Sequence, residues 1–285
     1  MTASPILELK QISKSYRNKS VLKDCSLALS AGEAVCIEGH NGSGKSTLLA
    51  LVMGYERADS GYIRTPALGR GLSGYINKPV FFAHLSGRQN IDLFMDMRRQ
   101  DYDRAACETM LSTLGLTGKH KRASTYSTGM LKKYGIVRSL LCKPEVLVLD
   151  EPFSGVDQSG VEALHGLLLD AIRANNMALL FTNHEAKALE GFPHQKMILA
   201  NGQLRAVKAD SKKAGQAHFK LNTVDACNVA AQKVEACLGH PPSVDAALHT
   251  LVTDCYLVEY QKLLGLLQDE QLVGCGWQRE EESAP

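Results

Sequence analysis

A glycine-rich segment near the N-terminus contains the residue types that bind phosphate groups. Residues 39–47 read Gly-His-Asn-Gly-Ser-Gly-Lys-Ser-Thr. Glycines let backbone N–H groups surround an anion without Cβ clashes, and a following helix directs its positive end at the phosphates. In this pattern Lys45 bridges the β- and γ-phosphates and Ser46 binds Mg²⁺, which predicts a nucleoside triphosphate site rather than a ligand-free turn. The expected contacts are Gly39, His40, Asn41, Gly42, Ser43, Gly44, Lys45, Ser46 and Thr47.

Two adjacent acids follow an apolar run further along the chain. Val146–Leu149 ends in Asp150 and Glu151. A carboxylate at the end of a buried strand can hold the Mg²⁺ of a nucleotide, and a second one can orient and polarise the attacking water. We therefore predict that Asp150 is a metal ligand and that Glu151 is catalytic. The alternative is that Asp150 only caps the next helix.

The expected secondary structure places both motifs at strand ends. Ala34–Glu38 reads as a strand directly before the glycine-rich segment, and Ser46–Met53 reads as a helix after it. Val146–Leu149 and Ala178–Phe181 are continuous apolar runs, which are typical of strands buried on both faces. The helices predicted between and beside these strands lie at 101–116, 129–142 and 161–173. This alternation predicts an α/β domain with a largely parallel sheet.

Length and composition predict a second, smaller domain. The chain has 285 residues, more than a typical single domain of about 100–200 residues. In the stretch 206–217, Lys, Ala, Ser and Gly replace the apolar pattern, which predicts a linker. We therefore expect a nucleotide-binding domain at 1–205 and a small α+β domain at 218–285. Its predicted strand, helix, strand, helix and strand lie at 219–221, 225–238, 248–256, 258–267 and 272–278.

Charge and cysteine usage exclude several classes of protein. The formal net charge is +2 and no long basic run is present, so a nucleic-acid partner is not expected. The eight cysteines are dispersed without a C-x-x-C pair, which indicates free thiols in a reducing cytosol. No apolar stretch approaches the ~20 residues that a membrane-spanning helix needs.

A segment between the two motifs resembles a family signature. Residues 126–130 read Tyr-Ser-Thr-Gly-Met. This is similar to the signature sequence of ABC transporter ATPases, particularly the Gly-Met variant of many exporter ATPases, and the other motifs follow in the family's order over residues 6–205. The resemblance implies the P-loop ABC ATPase fold, with a RecA-like core, an antiparallel β subdomain and a helical subdomain at 85–143. It also implies ATP hydrolysis coupled to transmembrane transport.

The resemblance implies roles for residues outside the first two motifs. Tyr16 occupies the position of the aromatic residue that stacks on adenine, although it could be an ordinary strand aromatic. Asp157 matches the D-loop, and His184 matches the switch histidine that contacts the γ-phosphate. Ser127 and Gly129 are expected to bind the γ-phosphate of an ATP held by a second subunit. Two Mg-ATP molecules would then join a dimer.

One position departs from the family pattern. Asn77 stands where glutamine usually contacts Mg²⁺ or the attacking water, and its side chain is shorter by roughly 1.5 Å. We retain Asn77 as a predicted nucleotide and metal contact. ATPases of antibiotic- and peptide-exporting ABC systems often lack this glutamine and carry a segment like Leu85–Arg88. This similarity predicts an exporter.

The resemblance also implies partners. In the family, the segment equivalent to Val80–Met97 helps to form a groove for a membrane subunit, although its apolar residues could instead fill the helical subdomain. We expect transmembrane permease subunits and a second ATPase subunit, identical or not, on the cytoplasmic face of the cell membrane. A soluble ABC ATPase in cluster assembly is the surviving alternative. A P-loop kinase does not account for residues 126–130.

Overall fold

The structure is a computed structural model of the chain, and it divides into two compact units. The units are Met1–Ala206 and Val207–Pro285. Each is described by itself. The described residues are 4–17, 19–66, 71–116, 121–184, 186–207, 215–221, 224–238, 242–245, 250–255 and 272–279.

A six-stranded sheet forms the centre of the first unit. Its strands, in chain order, are β3 (Ala34–Glu38), β5 (Leu72–Tyr75), β6 (Val146–Leu149), β7 (Ala178–Thr182), β8 (Gln195–Ala200) and β9 (Gln203–Ala206). Their order across the sheet is β5-β6-β7-β3-β8-β9. All neighbours pair in parallel except β8 and β9, which form an antiparallel hairpin. Residues of β6 and β7 are all buried, as the continuous apolar runs predict.

A second, antiparallel sheet packs beside the first one. It contains β1 (Leu7–Tyr16), β2 (Lys19–Leu29) and β4 (Ser60–Arg64) in the order β2-β1-β4. Apolar residues of β1 and β2 form a common core with β3 and with the helix that follows the glycine-rich segment. The sequence located strands within 6–38, whereas β4 was not predicted.

Five α-helices are described in the first unit. They are α1 (Lys45–Val52), α2 (Gly87–Met97), α3 (Arg104–Thr113), α4 (Thr128–Leu141) and α5 (Gln158–Asn175), with 3₁₀ turns at Ala123–Thr125 and Ala186–Leu189. Ser86 and Gln89 form a capping box at the start of α2, and Asp103 caps α3. The predicted helices at 101–116 and 129–142 are confirmed with shorter or shifted ends. Within the described residues, no helix is both long and apolar enough to cross a bilayer.

The second unit is an antiparallel sheet with one described helix. Its elements are β10 (Gly215–Leu221), α6 (Val224–Leu238), β11 (Ser243–Asp245), β12 (Thr250–Cys255) and β13 (Leu272–Arg279). The strand order is β11-β12-β10-β13. The short strand β11 was not predicted, and the helix predicted at 258–267 lies outside the described residues. β9 includes Ala206 and β10 begins at Gly215, so both strands reach into the stretch 206–217 where a linker is predicted.

Candidate active site

The glycine-rich segment forms a tight loop between β3 and α1. Gly42 and Gly44 have φ angles of 80° and 107°, which residues with a Cβ atom rarely adopt. A Cβ atom added to Gly39 would lie 2.5 Å from the carbonyl oxygen of Leu199. The loop therefore depends on glycine at these positions, as the predicted phosphate loop requires.

Two polar side chains are buried in this loop. The Lys45 Nζ donates hydrogen bonds to the carbonyl oxygens of Gly39 (2.7 Å) and His40 (3.2 Å). Ser43 is 5% exposed, and its Oγ has no hydrogen-bond partner within the described residues. A buried hydroxyl without a partner is uncommon in proteins. Phosphate oxygens would satisfy both this hydroxyl and the Lys45 ammonium, so the loop fits a polyphosphate anion.

The start of α1 is also suited to an anion. Its N-cap residue, Gly44, provides no side-chain hydrogen bond, and the first turn contains no acid. The free N–H groups and the positive end of the helix are therefore not compensated by a side chain there. His40 and Asn41 are exposed at the outer part of the loop, and Thr47 is partly buried in α1.

The Asp150 side chain contacts α1, the loop after β5 and the strand β7 at the carboxyl end of the parallel strands. One of its oxygens, Oδ2, accepts hydrogen bonds from the Ser46 hydroxyl (2.9 Å) and from the backbone N–H of Asn77 (3.0 Å). The other oxygen, Oδ1, accepts one from the Thr182 hydroxyl (2.5 Å). The helix-capping alternative is wrong, because the N-cap of α5 is Asp157. The Ser46 and Asp150 oxygens are instead placed to share a divalent cation.

Glu151 contacts His184 beside this carboxylate. The His184 Nδ1 lies 3.1 Å from the Glu151 Oε1, and both side chains are partly exposed. Because an ionised carboxylate only accepts hydrogen bonds, Nδ1 carries the hydrogen of this bond. Glu151 has a φ of 49°, and its N–H donates to the Thr182 hydroxyl (2.9 Å). Glu151 therefore adopts an uncommon backbone conformation next to the predicted metal ligand Asp150.

Asn77 reaches the site through its backbone. Its φ of 60° lies in the left-handed region, where asparagine is more common than most residues. The backbone N–H donates to Asp150, and the side chain is exposed. The sequence predicted a side-chain role for Asn77, and the structure adds a backbone contact with the acid.

The signature segment begins α4 and packs on the loop that follows β6. Ser127 is the N-cap, and its Oγ accepts a hydrogen bond from the Met130 N–H (3.2 Å). A Cβ atom added to Gly129 would lie 2.4 Å from the carbonyl oxygen of Gly155. Ser127 and Thr128 are exposed. The segment therefore presents an exposed helix N-terminus while its glycine makes close backbone contact.

Two lysines of α4 strengthen the same contact. The Lys132 Nζ donates to the carbonyl oxygens of Glu151 (2.5 Å) and Ser154 (2.9 Å). The Lys133 Nζ lies 3.0 Å from the Asp157 carboxylate. Lys132 and Lys133 are 4% and 9% exposed, so the aliphatic parts of both side chains are packed in the interior. The loop that carries Glu151 is thus attached to the signature helix at two points.

The Asp157 carboxylate is stabilised in its ionised form. Its pKa falls to about 2 because the Ser159 hydroxyl and the Lys133 ammonium hydrogen-bond to it. The Ser159 Oγ donates at 2.7 Å. The side chain of Asp157 remains 67% exposed at the start of α5. It is therefore positioned by neighbours on one side and accessible to a partner on the other.

Tyr16 lies apart from these groups, at the end of β1. The residue is 42% exposed, and the Lys14 Nζ lies 5.2 Å from the centroid of its ring. An exposed aromatic ring can stack on a planar base. The exposure of the Tyr16 ring is compatible with stacking on adenine, which stays a prediction.

Three residues of the site were missed by the sequence analysis. They are Thr182, Lys132 and Lys133. Thr182 occurs at the end of an apolar strand, and only the pairing of β6 with β7 brings its hydroxyl to Asp150 and Glu151. A signal for the lysines was present, because two adjacent lysines follow the signature on a helix whose next residues are apolar.

Comparison with known proteins identifies the family. The family model described as ABC transporter matches residues 22–154. The thiamine import ATP-binding protein ThiQ of Chelativorans sp. (strain BNC1) is 30% identical over 196 residues, which are 65% of this chain and 80% of that protein. An uncharacterised ABC transporter ATP-binding protein, YdbJ of Bacillus subtilis (strain 168), is 28% identical over 72% of this chain and 69% of its own length. The aliphatic sulfonates import ATP-binding protein SsuB 2 of Burkholderia cenocepacia (strain HI2424) is 34% identical over 64% and 69%, respectively.

Solved structures agree with this result. The ATP-binding subunit of an ABC transporter matches with a TM-score of 0.64 and 26% identity, covering 72% of this chain and 90% of that chain. A dimeric ATP-binding cassette bound to ADP and Pi matches with a TM-score of 0.63 and 19% identity over 71% and 98%, which shows the shared fold. The predicted P-loop ABC ATPase fold is confirmed. The chain therefore belongs to the ABC transporter ATP-binding proteins and is an ATPase of that family.

Proposed function

We propose that this chain binds and hydrolyses Mg-ATP as one of two ATPase subunits that drive separate transmembrane permease subunits. The observation that carries the proposal is the contact of Glu151 with His184, directly beside the Asp150 carboxylate and the phosphate loop. This arrangement places a candidate base within the same small region as the metal-binding oxygens. In this proposal Lys45, Glu151 and His184 are the catalytic residues.

Ser46 and Asp150 would hold Mg²⁺. Their oxygen atoms lie 2.9 Å apart, and hydroxyl and carboxylate oxygens are ligands that this ion accepts. When bound, the ion neutralises charge that develops on the phosphate oxygens. Lys45 would exchange its hydrogen bonds with the loop carbonyls for bonds to phosphate. Asn77, which already bonds Asp150 through its backbone, would complete this group.

Glu151 would orient and deprotonate the attacking water. The carboxylate accepts the proton of the water molecule, as general-base catalysis requires. His184 holds one carboxylate oxygen, while Thr182 and Lys132 fix the backbone N–H and C=O of the same residue. We also assign His184 a contact with the γ-phosphate. The strained backbone of Glu151 is thus held from three sides.

Ser127, Gly129 and Asp157 would complete the site of a second subunit. The N-terminus of α4 is exposed, and helix N-termini favour anions. The solved cassette that is 19% identical to this chain is itself a dimer bound to ADP and Pi. In the proposed dimer each signature segment contacts the γ-phosphate held by its partner, and Tyr16 stacks on adenine.

An exposed apolar surface supports a membrane partner. Val80 is 80% exposed, Phe82 is 52% exposed and Met97 is 71% exposed. The neighbouring Phe81 is different, because its ring packs on Tyr134 and the Arg138 guanidinium. Residues of this segment therefore divide between the interior and the surface, and the exposed ones are available to a partner. We propose that the exposed ones contact a permease subunit on the cytoplasmic face of the membrane.

The direction of transport is outside this proposal. Three of the similar proteins are named as import proteins, for thiamine, aliphatic sulfonates and spermidine/putrescine, and these names do not support export. The segment Leu85–Arg88 also has structural roles: Ser86 caps α2, and a Cβ atom on Gly87 would clash with Tyr134. Arg88 pairs with Asp92 and Glu108. The predicted export direction then depends on the Gly-Met signature and on Asn77 in place of glutamine.

Co-purification from detergent-solubilised membranes tests the proposal. Wild-type protein is expected to retain a multi-spanning protein, and its ATPase rate is expected to rise in that complex. The double variant Val80→Ser, Phe82→Ser should lose this protein, because the proposed contact surface is removed. The variant Tyr62→Ser is a matched control, since Tyr62 is an aromatic residue that is 54% exposed on β4. Wild-type protein that retains no multi-spanning protein would favour the soluble ABC ATPase instead.

A further inference from the structure

A second group of metal-ligand side chains lies on the central sheet, outside the proposed ATP site. Cys36 and Glu38 belong to β3 and point to the same face, because side chains alternate along a strand. His194 directly precedes β8, the parallel neighbour of β3. Its ring lies 5.8 Å from that of Phe181, which is in the same core cluster as Cys36. The sheet topology therefore brings these three residues together.

Their ligand atoms are close enough to approach one ion. The Cys36 Sγ, a Glu38 carboxylate oxygen and a His194 ring nitrogen all lie within 4.8 Å of one another. Thiolate, carboxylate and imidazole are the ligand types of zinc, which binds them at about 2.0–2.3 Å. Among the residues that the structure describes, this is the group in which at least three possible metal-ligand side chains lie this close to one another.

His194 is held in a tautomer suited to metal binding. Its Nδ1 lies 2.7 Å from the carbonyl oxygen of Phe192. A carbonyl oxygen only accepts, so Nδ1 carries the hydrogen and Nε2 retains its lone pair. Metal-ligating histidines commonly donate their second N–H to a carbonyl or carboxylate in this way.

Cys36 is a buried free thiol with a nearby cation. It is 0% exposed and forms no disulfide. Burial raises the pKa of the Cys36 thiol, the Glu38 carboxylate raises it further, and the Lys196 ammonium opposes both effects. A bound divalent ion would reverse this balance by stabilising the thiolate, and the thiol proton would be released to solvent.

Lys196 competes with an ion at this position. Its Nζ lies 2.6 Å from the Glu38 Oε2, and its side chain is 40% exposed. A long, exposed lysine side chain can turn toward water without loss of buried packing. An incoming divalent ion would therefore replace the ammonium as the partner of Glu38. Removal of the ammonium is expected to strengthen metal binding.

We propose that Cys36, Glu38 and His194 form a binding site for a zinc-class divalent ion that links β3 to the start of β8. The three side chains supply the ligands, and water takes the fourth position of a tetrahedral site. Glu38 directly precedes Gly39, so the ion fixes the strand end from which the phosphate loop begins. The site shares no residue with the proposed ATP site.

Titration of the metal-free, nucleotide-free full chain with Co²⁺ tests the site. Wild-type protein should develop a thiolate-to-cobalt charge-transfer band and the visible absorption of tetrahedral cobalt, and Zn²⁺ should displace both. Cys36→Ser should lose the charge-transfer band. Glu38→Gln and His194→Gln should weaken binding by more than about tenfold. Lys196→Met should bind Co²⁺ more tightly than wild type.

Cys107→Ser provides the matched control, because Cys107 is also a buried free thiol and lies in α3. This control should keep the wild-type spectrum. Circular dichroism checks that each variant is folded, and the Glu38, His194 and Lys196 variants test the site even where Cys36→Ser does not fold. An unchanged band in Cys36→Ser, or no band in wild type, would overturn the proposal. Equal weakening in all variants, including the control, would identify an adventitious ion only and would also overturn it.

Discussion

The Lys133 ammonium lies 3.0 Å from the Asp157 carboxylate, and this ion pair joins the signature helix α4 to the N-cap residue of α5. Lys133 is almost fully buried, whereas Asp157 is mostly exposed. Packing therefore fixes Lys133, and Lys133 in turn determines the position of the Asp157 carboxylate. This position matters because Asp157 is the residue that we assign to the contact with a second subunit.

The ion pair predicts a specific pH dependence of stability. The pKa of Asp157 falls from 3.8 to about 2 when the chain folds, because Ser159 and Lys133 stabilise the carboxylate. A lowered carboxyl pKa contributes stability that is present above the unfolded-state pKa and is lost as the pH falls through the folded-state value. The urea midpoint of wild type should therefore exceed that of Asp157→Asn by a constant amount above about pH 5.

The difference in urea midpoint should shrink as the pH falls from 3.8 to about 2. It is expected to be small and sensitive to salt, because the Asp157 side chain is exposed to solvent. Urea titrations of both proteins across this range provide the measurement. A difference that increases on acidification would show that the carboxylate is not stabilised by the fold.

Glu151→Gln is expected to separate ATP binding from hydrolysis. The amide keeps the size of the side chain but cannot accept the proton of the attacking water, so the hydrolysis rate should fall by about 10²–10⁴-fold. ATP binding should persist, and gel filtration with ATP should show a stable dimer. Glu162→Gln is the control, because Glu162 is an exposed acid on α5. A Glu151→Gln protein with the wild-type rate would remove Glu151 from its proposed role.

Thr182→Val should damage the active site without a large change in volume. The lost hydroxyl donates to the Asp150 Oδ1 and accepts from the backbone N–H of Glu151, and its removal takes this partner from both groups. We expect a loss of about 1–3 kcal/mol in the free energy of unfolding. The value of kcat should fall more than the affinity for ATP. Thr182→Ser should restore both quantities, and failure of this rescue would argue against the hydrogen bonds as the cause.

Gly129→Ala should disturb the signature segment selectively. The new Cβ atom would lie 2.4 Å from the Gly155 carbonyl oxygen, so α4 and the loop after β6 must separate. Hydrolysis and ATP-dependent dimerisation should decrease, whereas binding of a fluorescent ATP analogue to the monomer should not change. Gly166→Ala is the matched control on α5, because no atom lies within 4 Å of its added Cβ. This control should raise stability by about 0.5–1 kcal/mol. Equal effects of both substitutions would contradict the packing explanation.

The sequence predicted the parts of the site that depend on local patterns. The phosphate loop needs glycines at fixed spacing, and Asp150 follows a run of four apolar residues, so both were identified without the fold. The strands β3, β6 and β7 were also predicted, because buried parallel strands have continuous apolar sequences. These features are encoded within short segments of the chain.

Other parts depend on contacts between distant segments. Thr182 is an ordinary strand residue until β7 pairs with β6. The pairing of Lys133 with Asp157 joins positions on two helices, and spacing along the chain does not reveal it. The group formed by Cys36, Glu38 and His194 likewise requires that β8 lies next to β3. Such residues could only be recognised once the order of strands was known.

Helix α4 makes polar contacts both with the segment Val80–Met97 and with the loop that carries Glu151. Arg138 donates a hydrogen bond to the carbonyl oxygen of Val80, and Lys132 donates one to that of Glu151. These two residues are separated by roughly 9 Å along the helix axis. A helix of this length moves as a stiff rod, so a displacement of Val80 would be transmitted along α4 to the backbone of Glu151. In the proposed function, a permease subunit that contacts Val80 would thereby change the position of Glu151 through α4.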